Sequence, residues 1–149
     1  MATANVTKAL SADLESVRKE WLDRLSSLVE SVETWAKHLG WATRRIEKKM
    51  DDSQLGHYVA PALLLQADTF RVLLEPIARS APGADGVVDL YLMPAYDDIA
   101  SLYFSDGQWQ LHYMLPTTSD VASIREAPAK VLSPETLQEV LDQMTKNAT

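Results

Sequence analysis

The feature that most constrains the fold is the stretch 86–115, in which apolar and polar residues alternate as they do in β-strands. Within this stretch, the run 99–104 is followed by the run 108–114, and Ser105-Asp106-Gly107 lies between them. An Asp-Gly pair between two strand-like runs is a strong hairpin signal, because glycine readily adopts the positive φ angle of a tight turn. The sequence therefore predicts an antiparallel sheet.

A long amphipathic helix precedes the sheet. Apolar residues recur at spacings of three and four from Leu14 to Leu39, which places them on one stripe of a helix. The pattern predicts a helix from Ser11 to Leu39, with Ser11 as its N-cap and Gly40 just past its last turn. Such a helix is about 43 Å long, more than a small sheet usually covers. We therefore expect part of its stripe to meet a partner.

Two further segments predict additional strands. Residues 41–50 contain the β-branched Thr43 and Ile46 and are followed by the turn-forming Asp51-Asp52-Ser53, which favours a strand, although residues 45–49 would fit a helix equally well. The runs 58–66 and 70–77 are separated by Ala67-Asp68-Thr69 and are apolar on both faces, which predicts a hairpin inside the sheet. Pro61 and Pro76 are expected at strand ends or bulges, because proline cannot donate a ladder hydrogen bond.

The chain ends in a second helix signal. Ser133-Pro134-Glu135 combines an N-cap residue, proline at the first helical position and an acid in the first turn. The predicted fold class is α+β, with a long N-terminal helix, a meandering, largely antiparallel sheet of about five strands, and a short C-terminal helix. Residues 1–10 are predicted to be a flexible N-terminus, and residues 11–146 to form a single domain.

Composition narrows the classes of partner. The chain of 149 residues carries 14 Lys and Arg against 21 Asp and Glu, a formal net charge of -7. This balance disfavours nucleic acid as a partner, because a net negative charge opposes binding to phosphates. No cysteine is present, which excludes disulfides and thiolate chemistry. No apolar run approaches the roughly 20 residues of a membrane span, and the N-terminus lacks a signal-peptide pattern, so a cytoplasmic location is expected.

One basic cluster interrupts the acidic chain. It consists of Arg44, Arg45, Lys48 and Lys49, with Trp41 beside it. A phosphate-binding patch is one interpretation. The favoured interpretation is an edge strand on which the charges oppose edge-to-edge pairing with other chains.

Carboxylates provide the candidate sites for enzymatic chemistry. A divalent cation needs several converging oxygens, and Glu75, Asp89, Asp97 and Asp98 are the candidate ligands. The candidate catalytic residues are Glu75, Asp89 and His112. No spacing motif of a hydrolase or zinc site connects them, so no cofactor is predicted and an enzyme is the less favoured class.

The segments Pro61-Ala62-Leu63-Leu64-Leu65 and 70–77 resemble the core hairpin of the PD-(D/E)XK nucleases. In that family, acidic residues and an E-x-K pair bind magnesium beside the scissile phosphate. Ala62 and Ile77 stand where the family has aspartate and lysine, so the resemblance implies a degenerate, inactive copy.

Aromatic residues suggest a binding surface. Trp109 and Leu111 are expected in the core. The candidate binding residues are Trp21, Trp35, Tyr91, Tyr96 and Tyr103, because tyrosine and tryptophan dominate binding hot spots. The favoured function is a non-enzymatic protein–protein interaction or adaptor module that forms a homodimer. The alternatives are a carboxylate-metal hydrolase or degenerate nuclease-like domain, and a small-molecule binding domain.

Overall fold

The computed structural model describes residues 2–94, 98–113 and 129–148. A single antiparallel sheet contains its strands in chain order, from β1 to β7. The predicted α+β fold is confirmed, with seven strands rather than about five. The last strand has only two residues, too few to give a readable alternation. The elements are α1 (Ala2–His38), β1 (Ala42–Asp52), β2 (Gly56–Ala67), β3 (Phe70–Ala78), β4 (Val87–Met93), β5 (Ile99–Ser105), β6 (Gln108–Tyr113), β7 (Lys130–Val131) and α2 (Pro134–Asn147).

Helix α1 is longer than the apolar stripe predicted. It begins at Ala2, so Ser11 lies inside the helix and the prediction of Ser11 as its N-cap is wrong. Neither proline nor glycine occurs in residues 2–10, so nothing in that segment forces a helix start at Ser11. The helix ends as predicted, with Lys37 and His38 in its last turn and Gly40 at a φ of 90°.

Both helices pack on one face of the sheet, which we call the inner face. Trp21 is fully buried there, and its indole Nε1 donates a hydrogen bond of 3.0 Å to the Tyr58 hydroxyl. Each strand from β2 to β6 contributes buried side chains to the same cluster as the two helices. The core includes Leu25, Val29, Val32 and Ala36 of α1, Leu63, Leu65, Val72, Leu74, Leu90, Leu102 and Leu111 of the sheet, and Leu137, Val140, Leu141 and Met144 of α2.

The two predicted hairpins are confirmed. Asp106 and Gly107 connect β5 to β6 with φ angles of 52° and 75°, the positive values that a tight hairpin turn requires. Asp68, at a φ of 51°, lies in the turn between β2 and β3. Both strands of this second hairpin are interior, because β1 and β4 flank them. The register of β3 against β4 shifts after Pro76, as expected for a proline at a bulge, whereas Pro61 lies inside β2 opposite Glu47 without a register shift, so the expectation for Pro61 is wrong.

The predicted start of α2 is also confirmed. The Ser133 hydroxyl accepts a hydrogen bond from the Thr136 backbone at 3.1 Å, and the Thr136 hydroxyl accepts one from the Ser133 backbone at 2.8 Å. This reciprocal pair is a capping box that satisfies backbone N–H groups at the helix start. It fixes the point at which the chain turns from β7 into the core.

Candidate functional site

The sheet face opposite the helices, which we call the outer face, brings together several predicted site residues. Cross-strand register places Glu75 of β3 opposite Asp89 of β4, Asp89 opposite Ser101 of β5, and Ser101 opposite His112 of β6. Residues directly opposite one another in an antiparallel pair have adjacent side chains. We call these four residues the polar row. The four residues come from four different strands, so the register between strands both places them on one face and aligns them.

Hydrogen bonds hold the centre of the polar row. Ser101 Oγ donates to Asp89 Oδ1 at 2.8 Å, and the Tyr91 hydroxyl donates to Asp89 Oδ2 at 3.1 Å. Lys48 of β1 forms an ion pair with Glu75 at 2.6 Å. The two carboxylates therefore each have a polar partner. This arrangement fixes their side chains and reduces what either can offer to a cation.

The far end of the polar row combines His112 with an aromatic ring. The imidazole of His112 meets the ring of Tyr103 edge-on, with 5.0 Å between the ring centroids. Both side chains are partly exposed on the outer face. His112 can therefore contact a molecule that lies on this face. Ser101 lies next to His112 but donates its hydroxyl hydrogen to Asp89, so the two residues are not arranged as a nucleophile and its general base.

The structure does not place Asp98 with Glu75 and Asp89. Its carboxylate accepts a hydrogen bond of 2.7 Å from the Tyr113 hydroxyl, beside Asn147 at the end of α2. Burial, followed by the hydrogen bond to Asp98, raises the pKa of Tyr113. Asp97 and Tyr96 lie outside the described residues. Within the described ranges, no group of three His, Asp or Glu side chains converges in a way that could hold a metal ion.

A second candidate site is a groove between α1 and the β5–β6 hairpin, which we call the aromatic groove. Its volume is about 550 Å³, and it is open to solvent. Aromatic rings from three elements line it. The lining includes Trp35 and Leu28 of α1, Phe104 of β5, Trp109 of β6, Val131 of β7, and Leu132 directly after β7.

Contacts among the lining residues fix the shape of the aromatic groove. The Phe104 and Trp109 rings lie edge-on, with centroids 5.2 Å apart. The Arg24 guanidinium lies 4.1 Å from the Phe104 centroid, a cation–π contact. Arg24 also donates to the Asp85 carbonyl at 2.8 Å and pairs with Glu20 at 3.0 Å. The groove is therefore built before any ligand arrives.

The predicted binding residues separate into three environments. Trp21 is a core residue, so its substitution acts on a partner only through stability. Trp35 lines the aromatic groove, whereas Tyr91 and Tyr103 lie on the outer face. Phe104 is not among the residues singled out from the sequence, and Trp109 was expected in the core; Trp109 is partly buried against the core and also lines the groove. Their positions flanking the Asp-Gly turn, where they pair directly, were the available signal.

The basic cluster lies on β1, which is an edge strand of the sheet. Arg45 forms two hydrogen bonds with the Glu33 carboxylate of α1, at 3.0 and 3.1 Å. The Arg45 hydrogen bond holds the pKa of Glu33 below its ordinary value. Lys48 is paired with Glu75 on the outer face. The cluster is therefore divided between the two faces, as alternation along a strand requires.

In comparisons with protein-family models, with curated proteins and with solved structures, no match to this chain was found. Among the described residues, no helix combines the length and apolar character needed to cross a membrane. The site geometry is thus the ground on which a function is proposed.

Proposed function

We propose that the chain is a non-enzymatic interaction module that binds an apolar segment of another protein in the aromatic groove. The observation that carries this proposal is that Trp35, Phe104 and Trp109 all line one open groove. Large aromatic side chains and arginine dominate the energetics of protein–protein binding, because they bury much area with few rotatable bonds.

The shape of the groove favours a protein segment as its ligand. A volume of about 550 Å³ falls within the range of small-molecule sites. Small-molecule sites, however, enclose most of the ligand surface, whereas this groove is open between a helix and a hairpin. An amphipathic helix or an extended segment can lie along such a groove with its apolar side chains inserted.

The charge around the groove indicates which residues would flank the apolar anchors of the bound segment. Glu20 and Asp23 of α1 line the groove and are exposed, and each forms an ion pair one helical turn away, Glu20 with Arg24 and Asp23 with Lys19. The net charge of the chain is also negative, at -7. Electrostatic complementarity steers partners of opposite sign toward such a surface. We expect the ligand to carry aromatic or aliphatic anchors flanked by lysine or arginine.

The polar row supports the carboxylate-metal hydrolase less strongly. Glu75 and Asp89 are cross-strand neighbours, but Lys48 is paired with Glu75 and the two hydroxyls of Ser101 and Tyr91 hold Asp89. A cation there would first have to displace these partners. The interaction module therefore ranks first, and the cytoplasmic location stays a prediction.

Selection of phage-displayed peptides on the immobilised chain tests the proposal. Ser27 is an exposed residue of α1 that lines the groove, and Ser26 is an exposed neighbour outside it. In Ser27→Arg, a long side chain occupies the groove without altering the core. We expect selected peptides to bind Ser27→Arg at least about tenfold more weakly than wild type in fluorescence anisotropy, and to bind Ser26→Arg as wild type.

Two results would overturn this function. One is a selection that enriches no peptide over the uncoated support. The other is a set of enriched peptides that bind Ser27→Arg and wild type with equal affinity, which would place the ligand elsewhere. Circular dichroism of both serine variants checks that the helix and sheet are intact.

A further inference from the structure

No described helix packs on the outer face. Both helices contribute their buried side chains to the inner cluster. On the outer face, Leu73, Tyr91 and Tyr103 are only half-buried, and Ile99 is 37% exposed. Strands that are apolar on both faces are usually covered on both. This face is therefore suited to a second layer.

The side chains of the outer face form parallel rows across the strands. On one side of the polar row, cross-strand register aligns Leu73, Tyr91 and Ile99. On the other side, it aligns Val87, which is buried with 8% exposure, with Tyr103, and Tyr103 with Gln110. The polar row therefore lies between two rows that contain apolar and aromatic side chains. A partner must present the same order of rows to match it.

We propose that the outer faces of two copies of this chain stack on each other, related by a twofold axis that runs parallel to the strands between β4 and β5. This axis leaves the height of each residue along the strands unchanged and reverses the order of the strands, so β4 of one copy lies over β5 of the other, and β3 lies over β6. Each row therefore lies over the same row of the second copy, because a twofold interface uses the same surface on both subunits.

The operation also avoids facing like charges. Glu75, which is paired with Lys48 of its own copy, faces His112 of the second copy. Asp89, which accepts hydrogen bonds from Ser101 and Tyr91 of its own copy, faces Ser101 of the second copy. In the rows on either side, Tyr91 faces Ile99 of the second copy, and Tyr103 lies above the buried Val87 of the second copy. No carboxylate faces a carboxylate. Matching of opposite polar groups across an interface fixes its register and suppresses wrong alignments.

The size of the face predicts a weak dimer. Four strands at about 4.8 Å spacing and five residues at about 3.3 Å give a face of about 19 by 17 Å. This is smaller than the roughly 800 Å² that each partner buries in a standard stable interface. The aromatic groove lies on the inner side and stays open in both copies, so the dimer forms independently of the groove ligand.

Analytical ultracentrifugation from about 10 μM to about 1 mM, a range suited to a weak interface, tests the dimer. We expect a concentration-dependent dimer that Ile99→Lys dissociates. The matched control is Leu14→Lys on α1, because Leu14 has a similar exposure of 42% but lies outside the sheet. A monomer at every concentration would overturn the proposal. So would a dimer that Leu14→Lys dissociates and Ile99→Lys does not.

A mixing experiment tests the register. Glu75→Lys places a lysine opposite His112 of the second copy, and His112→Glu places two glutamates opposite each other, so each variant alone should associate at least about tenfold more weakly. When the two variants are mixed, the lysine introduced in one copy faces the glutamate introduced in the other, and association should return. Failure of the mixture to associate, with both variants folded by circular dichroism, would reject this axis.

Discussion

The inner and outer faces of the sheet are made by the same strands but differ in how far they are buried by the rest of the chain. The inner face is sealed by α1 and α2, and Trp21, Leu63 and Leu65 are almost inaccessible to solvent there. The outer face carries apolar rows beside a hydrogen-bonded polar row. The comparison teaches that apolar character alone does not decide burial. An apolar face can be packed against by a helix of the same chain or by a second chain.

The largest expected difference between the faces is in stability. Trp21→Ala removes a fully buried side chain and should lower the free energy of unfolding by about 3–5 kcal/mol. Leu73→Ala removes a half-buried side chain of the outer face and should cost about 1 kcal/mol. Urea unfolding followed by circular dichroism, at a concentration where the chain is monomeric, measures both. Equal losses would show that the outer face is also sealed within one chain.

A smaller loss of stability is expected where the backbone at Gly86 lies close to the Trp21 ring on the inner face. A Cβ atom added at Gly86 would lie 2.6 Å from the Trp21 ring, which is closed in by the core. Gly86→Ala should therefore destabilise the chain by about 1–3 kcal/mol through overpacking.

The double variant sharpens this prediction. In a Trp21→Phe background the ring is smaller, so Gly86→Ala should cost less than it does in wild type. A double-mutant cycle measured by urea unfolding gives the coupling between the two positions. Additive losses would mean that the ring does not oppose the added methyl group.

The smallest effect concerns pH at the edge of the inner face. Burial raises the pKa of Tyr113, so its neutral form is favoured in the folded state. This contribution is complete below pH 10, the ordinary tyrosine value, and is lost as pH rises above it. The slope is less than about 1.4 kcal/mol per pH unit, the limit for one titrating proton.

Thermal unfolding between neutral pH and pH 11 measures this dependence. Tyr113→Phe keeps the ring but removes the ionisable group, so its stability should fall less steeply above pH 10 than that of wild type. Identical alkaline slopes would show that Tyr113 is no more protected from solvent than a tyrosine of the unfolded chain.

Local chemistry in the sequence determined the elements of this protein. The Asp106-Gly107 pair specifies its hairpin because both positions need positive φ, and Ser133 begins α2 because its hydroxyl caps the helix. The apolar stripe from Leu14 predicted α1, although the start at Ala2 carried no local signal.

Only the tertiary structure decided which residues meet. Alternation assigns a residue to one of two faces, but it cannot say which face the helices cover or which strand lies beside which. The register of three consecutive strand pairs, β3–β4, β4–β5 and β5–β6, aligned Glu75, Asp89, Ser101 and His112. Packing of α1 against the β5–β6 hairpin joined Trp35 to Phe104 and Trp109. These contacts connect positions far apart in the chain, so the cooperative packing of the whole domain determines them.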